Sequence, residues 1–226
     1  MVLVDNIGDS DKYLSPKRFK RPNILWRVAV NFSLILFFSV IVFFSINLPA
    51  YFAIGRYRAN PTFFAFSQSA QKELTVASST GEYKPTKQYP DNSIFIPKIG
   101  ITAPISYDIG EGEVMEKLKS GVVHLGGSGH LGEGKNIFIT GHSSNYWWED
   151  GEYNTIFALL PELENGDVIY LTDNGRLKRF KIIDKKEVKK SEVDGNLVSE
   201  SEQLTLMTCV PVGTNLRRLL VVAIPD

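Results

Sequence analysis

Residues Leu204–Val222 read LTLMTCVPVGTNLRRLLVV. An apolar run ends at Cys209, a turn rich in Pro, Gly and Asn follows, and Arg217-Arg218 open a second apolar run. A turn of this length brings a neighbouring antiparallel strand back beside the first. Alternation along a strand then turns only one of the two arginines toward the cysteine's side, and spacing alone leaves both open. Exposed charges guarding an edge strand account for the pair equally well. Cys209 is the only cysteine among 226 residues, which excludes an internal disulfide and a thiolate-rich zinc site. A thiol at the mouth of a strand is a candidate nucleophile.

A second strand-like run, NIFIT at Asn136–Thr140, also ends in a titratable side chain, His142, after Gly141. The other two histidines have plainer readings. His124 lies within the strand-like VVHL, and His130 lies in the glycine-rich GGSGHLGEG, although either could line a groove. Thiol, imidazole and guanidinium at strand ends form a coherent acyl-transfer set. A nearby cation favours the thiolate, the imidazole acts as acid toward a leaving amine, and the arginine stays protonated and donates hydrogen bonds to a carbonyl or oxyanion.

Farther out, short apolar runs separated by turns continue from Asp91. SIFIP (Ser93–Pro97), APISY (Ala103–Tyr107), Val122–Leu125, Val168–Thr172, Arg176–Ile183 and Leu219–Ile224 read as strands. Asp173-Asn174-Gly175 is a hairpin signal. Val114–Lys119 and Asn154–Leu163 read as short helices, the second with Asn154 as N-cap. The pattern predicts a mainly β barrel or sandwich over 91–226. Residues 55–90, rich in Ser, Thr, Gln, Lys and Pro, read as a stalk. Val28–Ile54 carries no charge and is long enough to span a bilayer, exceeding the apolar core of a typical cleaved signal. Lys12, Lys17, Arg18, Lys20, Arg21 and Arg27 precede it, against Arg56 and Arg58 after it. That bias puts residues 1–27 in the cytoplasm and the C-terminal part outside the cell. Lys+Arg balance Asp+Glu at 25 each, and no basic stripe after residue 91 suits nucleic acid.

TLMTC (Thr205–Cys209), TGH (Thr140–His142) and the arginine heading the next strand together resemble the sortase family of membrane-anchored cysteine transpeptidases. IPKIGITAPI (Ile96–Ile105) and GVVHLGGSGHLGEGKNIFITGH (Gly121–His142) extend the resemblance to the whole of 91–226. It implies a closed eight-stranded β-barrel with short helices. It implies that Cys209 attacks a sorting signal of LPxTG type on surface proteins, with His142 as the catalytic histidine. The Cys-to-Arg segment resembles the class C branch, which selects Arg218 and leaves Arg217 as fallback. Thr208 matches a position that shapes the oxyanion region. The amine acceptor would be a peptidoglycan precursor or a pilin lysine. KPTKQYPDN departs from the branch's lid motif, so the layout resembles single-anchor sortases. Tyr146, Trp147 and Trp148 would pack on the barrel rim or line a substrate groove beside His142. Glu111, Glu113 and Glu116 resemble calcium-binding loops of some sortases, but no metal or other cofactor is expected. The alternatives are a cell-wall cysteine hydrolase and a catalytically silent binding barrel.

Overall fold

A computed structural model describes residues 23–60, 90–146, 148–199 and 201–226. The chain divides into two units, Met1–Val42 and Phe43–Asp226. Helix α1 (Ile24–Ile46) is 23 residues long and buries none of them. At 1.5 Å per residue it extends about 35 Å, enough to cross a hydrocarbon core of about 30 Å. A helix that is apolar all round and exposes its side chains calls for an apolar medium. By length and composition it fits a membrane anchor or a signal sequence near the N-terminus.

Asn47 ends this helix, and α2 (Leu48–Ala59) starts with Pro49 in its first turn. Asn47 is buried and its amide donates to the Phe43 carbonyl at 2.9 Å. The apolar run 28–54 is therefore divided between two helices. Ala50 and Ile54 of α2 pack with Ala158 and Val212, and Tyr57 enters the main core. Arg58 adds a 2.8 Å ion pair with Glu162. Residues 55–60, read from composition as the start of a stalk, are thus part of the folded unit. Residues 61–89 of that stalk lie outside the described residues. Tyr57→Ala should lower the unfolding free energy by about 3 kcal/mol through the cavity it leaves, measurable by denaturant titration of the full chain.

Eight strands form a closed barrel in the order β1-β2-β3-β4-β7-β8-β6-β5. They are β1 (Ser93–Ile96), β2 (Ile101–Ile109), β3 (Val122–Leu125), β4 (Asn136–Thr140), β5 (Val168–Asp173), β6 (Arg176–Val188), β7 (Gln203–Val210) and β8 (Arg217–Pro225). β2/β3 and β4/β7 are parallel and the other neighbours antiparallel. Alternation divides each wall. On β4, β7 and β8, Ile137, Ile139, Leu204, Leu206, Leu219 and Val221 fill the interior. Phe138, Met207 and Leu220 face outward, under Val188, Val193 and Leu197.

The hairpin at Asn174-Gly175 forms, with φ of 50° and 73°, both in the left-handed region that a type I′ turn requires. Val114–Lys119 shrinks to the single-turn α3 (Val114–Lys117). Asn154–Leu163 is turns followed by a 3-10 turn at Leu160–Glu162, not an α-helix. Two causes are local: Pro161 supplies no N–H to a helix, and Asn154 spends its side chain bridging Asn145 and the Glu149 carbonyl instead of capping.

Candidate active site

The register of three strands decides which side chains meet. In the β7/β8 pair, Cys209 lies directly opposite Arg218 and Val210 opposite Arg217. Side chains at directly opposed positions share a face, with Cβ atoms about 5 Å apart. Arg218, not Arg217, therefore shares the cysteine's face. Its side is the outer one, because the flanking Leu219 and Val210 point into the core. Arg218 is 9% exposed and donates from Nη1 to the Arg217 carbonyl at 3.1 Å. Arg217 turns away, donating from Nη2 to the Glu187 carbonyl at 3.2 Å.

β4 runs parallel to β7, with Thr140 beside Met207. Two residues on from that pair stand His142 and Cys209. The Gly141 amide donates to the Met207 carbonyl at 3.1 Å, which carries the pairing past the end of β4. Thr208, buried, donates its hydroxyl to the Gly141 carbonyl at 2.8 Å. This bond ties the residue before Cys209 to the residue before His142. His142 is half-buried, and burial pushes its imidazole below the ordinary histidine range, favouring the neutral ring at neutral pH.

Gly141 is required by close approach. A Cβ there would meet the Phe157 ring at 2.5 Å, and Phe157 is fully buried. The Phe157 amide also donates to the His142 carbonyl at 2.8 Å. Gly141→Ala must displace a core ring or the loop bearing His142. The expected cost is about 1–3 kcal/mol, with a fall in turnover larger than the stability loss explains. Thermal unfolding and steady-state cleavage on the same sample separate the two effects.

The turn between Cys209 and Arg218 supplies a residue that the sequence reading missed. Asn215 Oδ1 lies 3.7 Å from Cys209 Sγ, so the thiol points to an amide oxygen. Only its place inside the turn hinted at this. Asn215 also lines a pocket of about 220 Å³ with Asn47, Ser144, Asn145, Tyr146, Gly213 and Thr214. α2 braces this turn, since the Tyr51 hydroxyl donates to the Val212 carbonyl at 3.2 Å. Ser144 Oγ accepts from the Gly213 amide at 3.0 Å, joining the turn to the His142 loop.

Other expected contacts fall differently. His124 sits opposite Ile139, an interior residue, so its ring points into the barrel and is fully buried. It lies on the other side of the wall from Cys209 and cannot line the same groove. Tyr146 and Trp148 are about half exposed and stack face to face at 4.7 Å on the His142 loop. Trp147 lies outside the described residues. Glu111, Glu113 and Glu116 are exposed, and Glu116 pairs with Lys119 at 2.7 Å.

Comparisons with known proteins agree with this architecture. The family profile of the sortase domain matches residues 94–226. Sortase C-1 from Actinomyces oris is 26% identical, with a TM-score of 0.52 over 69% of this chain and 96% of that one. Sortase C1 of GBS Pilus Island 1 is 26% identical at a TM-score of 0.51, over 59% of this chain, which spans 63% of that protein. A lid mutant of sortase A from Corynebacterium diphtheriae, 24% identical at a TM-score of 0.50 over 80% of this chain and 93% of that one, shares the fold. No match was found among curated proteins. With its closed barrel and a domain profile that matches more than half of its length, the chain belongs to the sortase family of cysteine transpeptidases.

Proposed function

We propose that this protein cleaves an LPxTG-like sorting signal on surface proteins and transfers the acyl fragment to an amine. The observation that carries the reading is the register that sets Cys209 opposite Arg218, with His142 at the matching end of the parallel neighbour strand.

The Cys209 thiol passes its proton to the neutral His142 ring, and the resulting thiolate attacks the signal's backbone carbonyl. A C–S bond forms, the carbonyl electrons move to oxygen, and the Arg218 guanidinium stabilises that oxyanion. The protonated His142 imidazole gives its proton to the nitrogen as the C–N bond breaks, leaving a thioester and a free amine. An incoming amine then attacks the thioester. Neutral His142 takes the amine's proton, and Cys209 leaves as thiolate. Burial of the imidazole helps this second half, because it makes the neutral ring the resting form. Thr208 holds the Gly141 carbonyl and so fixes the spacing between the two reacting strands. Tyr146 and Trp148, exposed on the His142 loop, are suited to the rim of the peptide groove.

The acceptor is an amine of the cell envelope, a peptidoglycan precursor or a pilin lysine. The apolar helix α1 anchors the chain, and the cationic residues preceding it put the N-terminus in the cytoplasm and the barrel outside.

The test uses the full-length protein in detergent with a quenched LPxTG-type peptide, with and without triglycine. Cys209-dependent cleavage with a ligated product in triglycine supports the transpeptidase. Cleavage with no ligated product at any amine concentration indicates a hydrolase. No reaction across a broad peptide library indicates a binding barrel.

A further inference from the structure

A second cluster of chemistry-bearing side chains lies beside the β5–β6 hairpin. β6 carries Val188 beside Arg218 at one end and Arg176 beside Asp173 at the other. The shorter route from the cluster to Cys209 runs through β3, β4 and β7. His124 pairs with Ile139, and Ile139 with Leu206, three residues before Cys209. The His124 ring and the thiol thus stand on opposite faces of the wall, within about 20 Å of each other along the backbone. At the hairpin end Asp108, His124 and His130 present ligand atoms that all lie within 4.8 Å of one another.

We propose that Asp108, His124 and His130 bind a divalent transition-metal ion, zinc in the first instance. Four observations carry this. First, each ring turns one nitrogen toward the same carboxylate oxygen, and the proton that bridges His130 Nε2 to it in the metal-free state would be displaced by the ion. His124 Nε2 lies 2.9 Å from the Gly129 carbonyl, which needs a proton on that nitrogen and leaves Nδ1 with its lone pair. Nδ1 is 3.6 Å from Asp108 Oδ1, and His130 Nε2 is 3.0 Å from the same oxygen. Tetrahedral ligands about 2.0 Å from a zinc ion are about 3.3 Å apart, so the two histidine–aspartate separations fit closely. The two rings, with ligand atoms within 4.8 Å, close toward each other on the ion.

Second, the partners behind the ligands are in place. His130 Nδ1 faces Asp173 Oδ2 at 3.4 Å. Asp173 is 1% exposed, and this oxygen has no hydrogen-bond partner among the described residues. A proton on His130 Nδ1 satisfies that carboxylate and frees Nε2 for a metal. Carboxylate-histidine-metal and carbonyl-histidine-metal arrangements orient ligands in this way.

Third, the backbone bends to aim Asp108. β2 slips register against β3 between Ser106 and Ile109, and Asp108 has φ of 57°. A bulge of this kind re-aims a side chain, and the left-handed conformation costs free energy for a residue with a Cβ. The Asp108 amide lies 3.2 Å from His124 Nδ1 and must give up that contact when metal binds.

Fourth, the site is dressed and open on one side. Tyr107 packs beside both imidazoles, with ring centroids 5.0 and 5.4 Å away. The Asp108 side chain is 61% exposed, which leaves an approach for the ion and for a water in the fourth position. Two imidazoles and one carboxylate favour zinc, copper or nickel over calcium. The ion would clamp β2, β3 and the β3–β4 loop, with β5 held through Asp173.

The test uses full-length, untagged protein in detergent, stripped with chelator and carrying Cys209→Ala to remove the thiol as a competing ligand. Zinc titrated by calorimetry should bind one equivalent and raise Tm. Cobalt(II) should give the visible bands of a low-coordinate site. Asp108→Asn and His130→Gln, on exposed and half-exposed side chains, should each keep the metal-free Tm close to the parent and weaken zinc by more than about a hundredfold. No binding by the parent overturns the proposal and leaves His130 as a protonated bridge between two aspartates. Undiminished binding in either variant also overturns it.

Discussion

Alanine at Cys209 is expected to reduce sorting-signal cleavage to background, on the order of a millionfold when a catalytic nucleophile is deleted. The size follows from the chemistry: without sulfur there is no thioester, and the other two groups have no bond to make. The fold should survive. Cys209 is only half-buried, and its polar neighbour, Asn215 at 3.7 Å, sits in an accessible turn. Cleavage rate and Tm, measured on one preparation, separate the two effects. Serine at the same position tests the same point more finely, since a hydroxyl keeps the shape and lacks an easily formed anion.

Arg218→Ala should lower kcat by about 10²–10³-fold, the loss seen when one oxyanion donor is removed. Arg217→Ala should leave kcat within about threefold, because a surface pair such as Arg217–Glu187 contributes little. The contrast rests on the strand register alone, which pairs Arg218 with Cys209 and Arg217 with Val210. Arg218→Lys should recover only part of the loss, since an ammonium lacks the planar fork of donors. Peptide KM and kcat for the four proteins decide the matter. Equal losses at both arginines would mean that the β7/β8 register does not govern the chemistry.

Much of this was legible in the residues. Val122–Leu125 and Asn136–Thr140 form as strands with the bounds that their apolar runs suggest. The Asn174-Gly175 hairpin follows from turn chemistry that few other residue pairs supply. Arg217 and Arg218 were not separable, because register depends on pairing between strands and not on either strand's own pattern. His124 was similarly ambiguous. VVHL is buried on both faces and carries no alternation from which to read which way the imidazole points. Composition also failed at α2. Leu48–Ile54 is as apolar as a membrane segment, yet Ala50 and Ile54 meet the barrel, and apolar burial does not distinguish protein from lipid. Asp108 and His130 stand 22 positions apart and Asp173 lies on another strand, so their meeting is a property of barrel closure.

The central claim is that Cys209 carries the acyl group between two amines. Intact-mass measurement of the full-length protein, quenched in acid soon after mixing with an LPxTG-type peptide, tests it most directly. The account predicts an adduct equal to the peptide's N-terminal fragment, mapped to Cys209, removed by hydroxylamine and discharged by triglycine into a ligated product. Peptide cleavage that proceeds at full rate with no adduct on Cys209, or with the adduct on another residue, would contradict it.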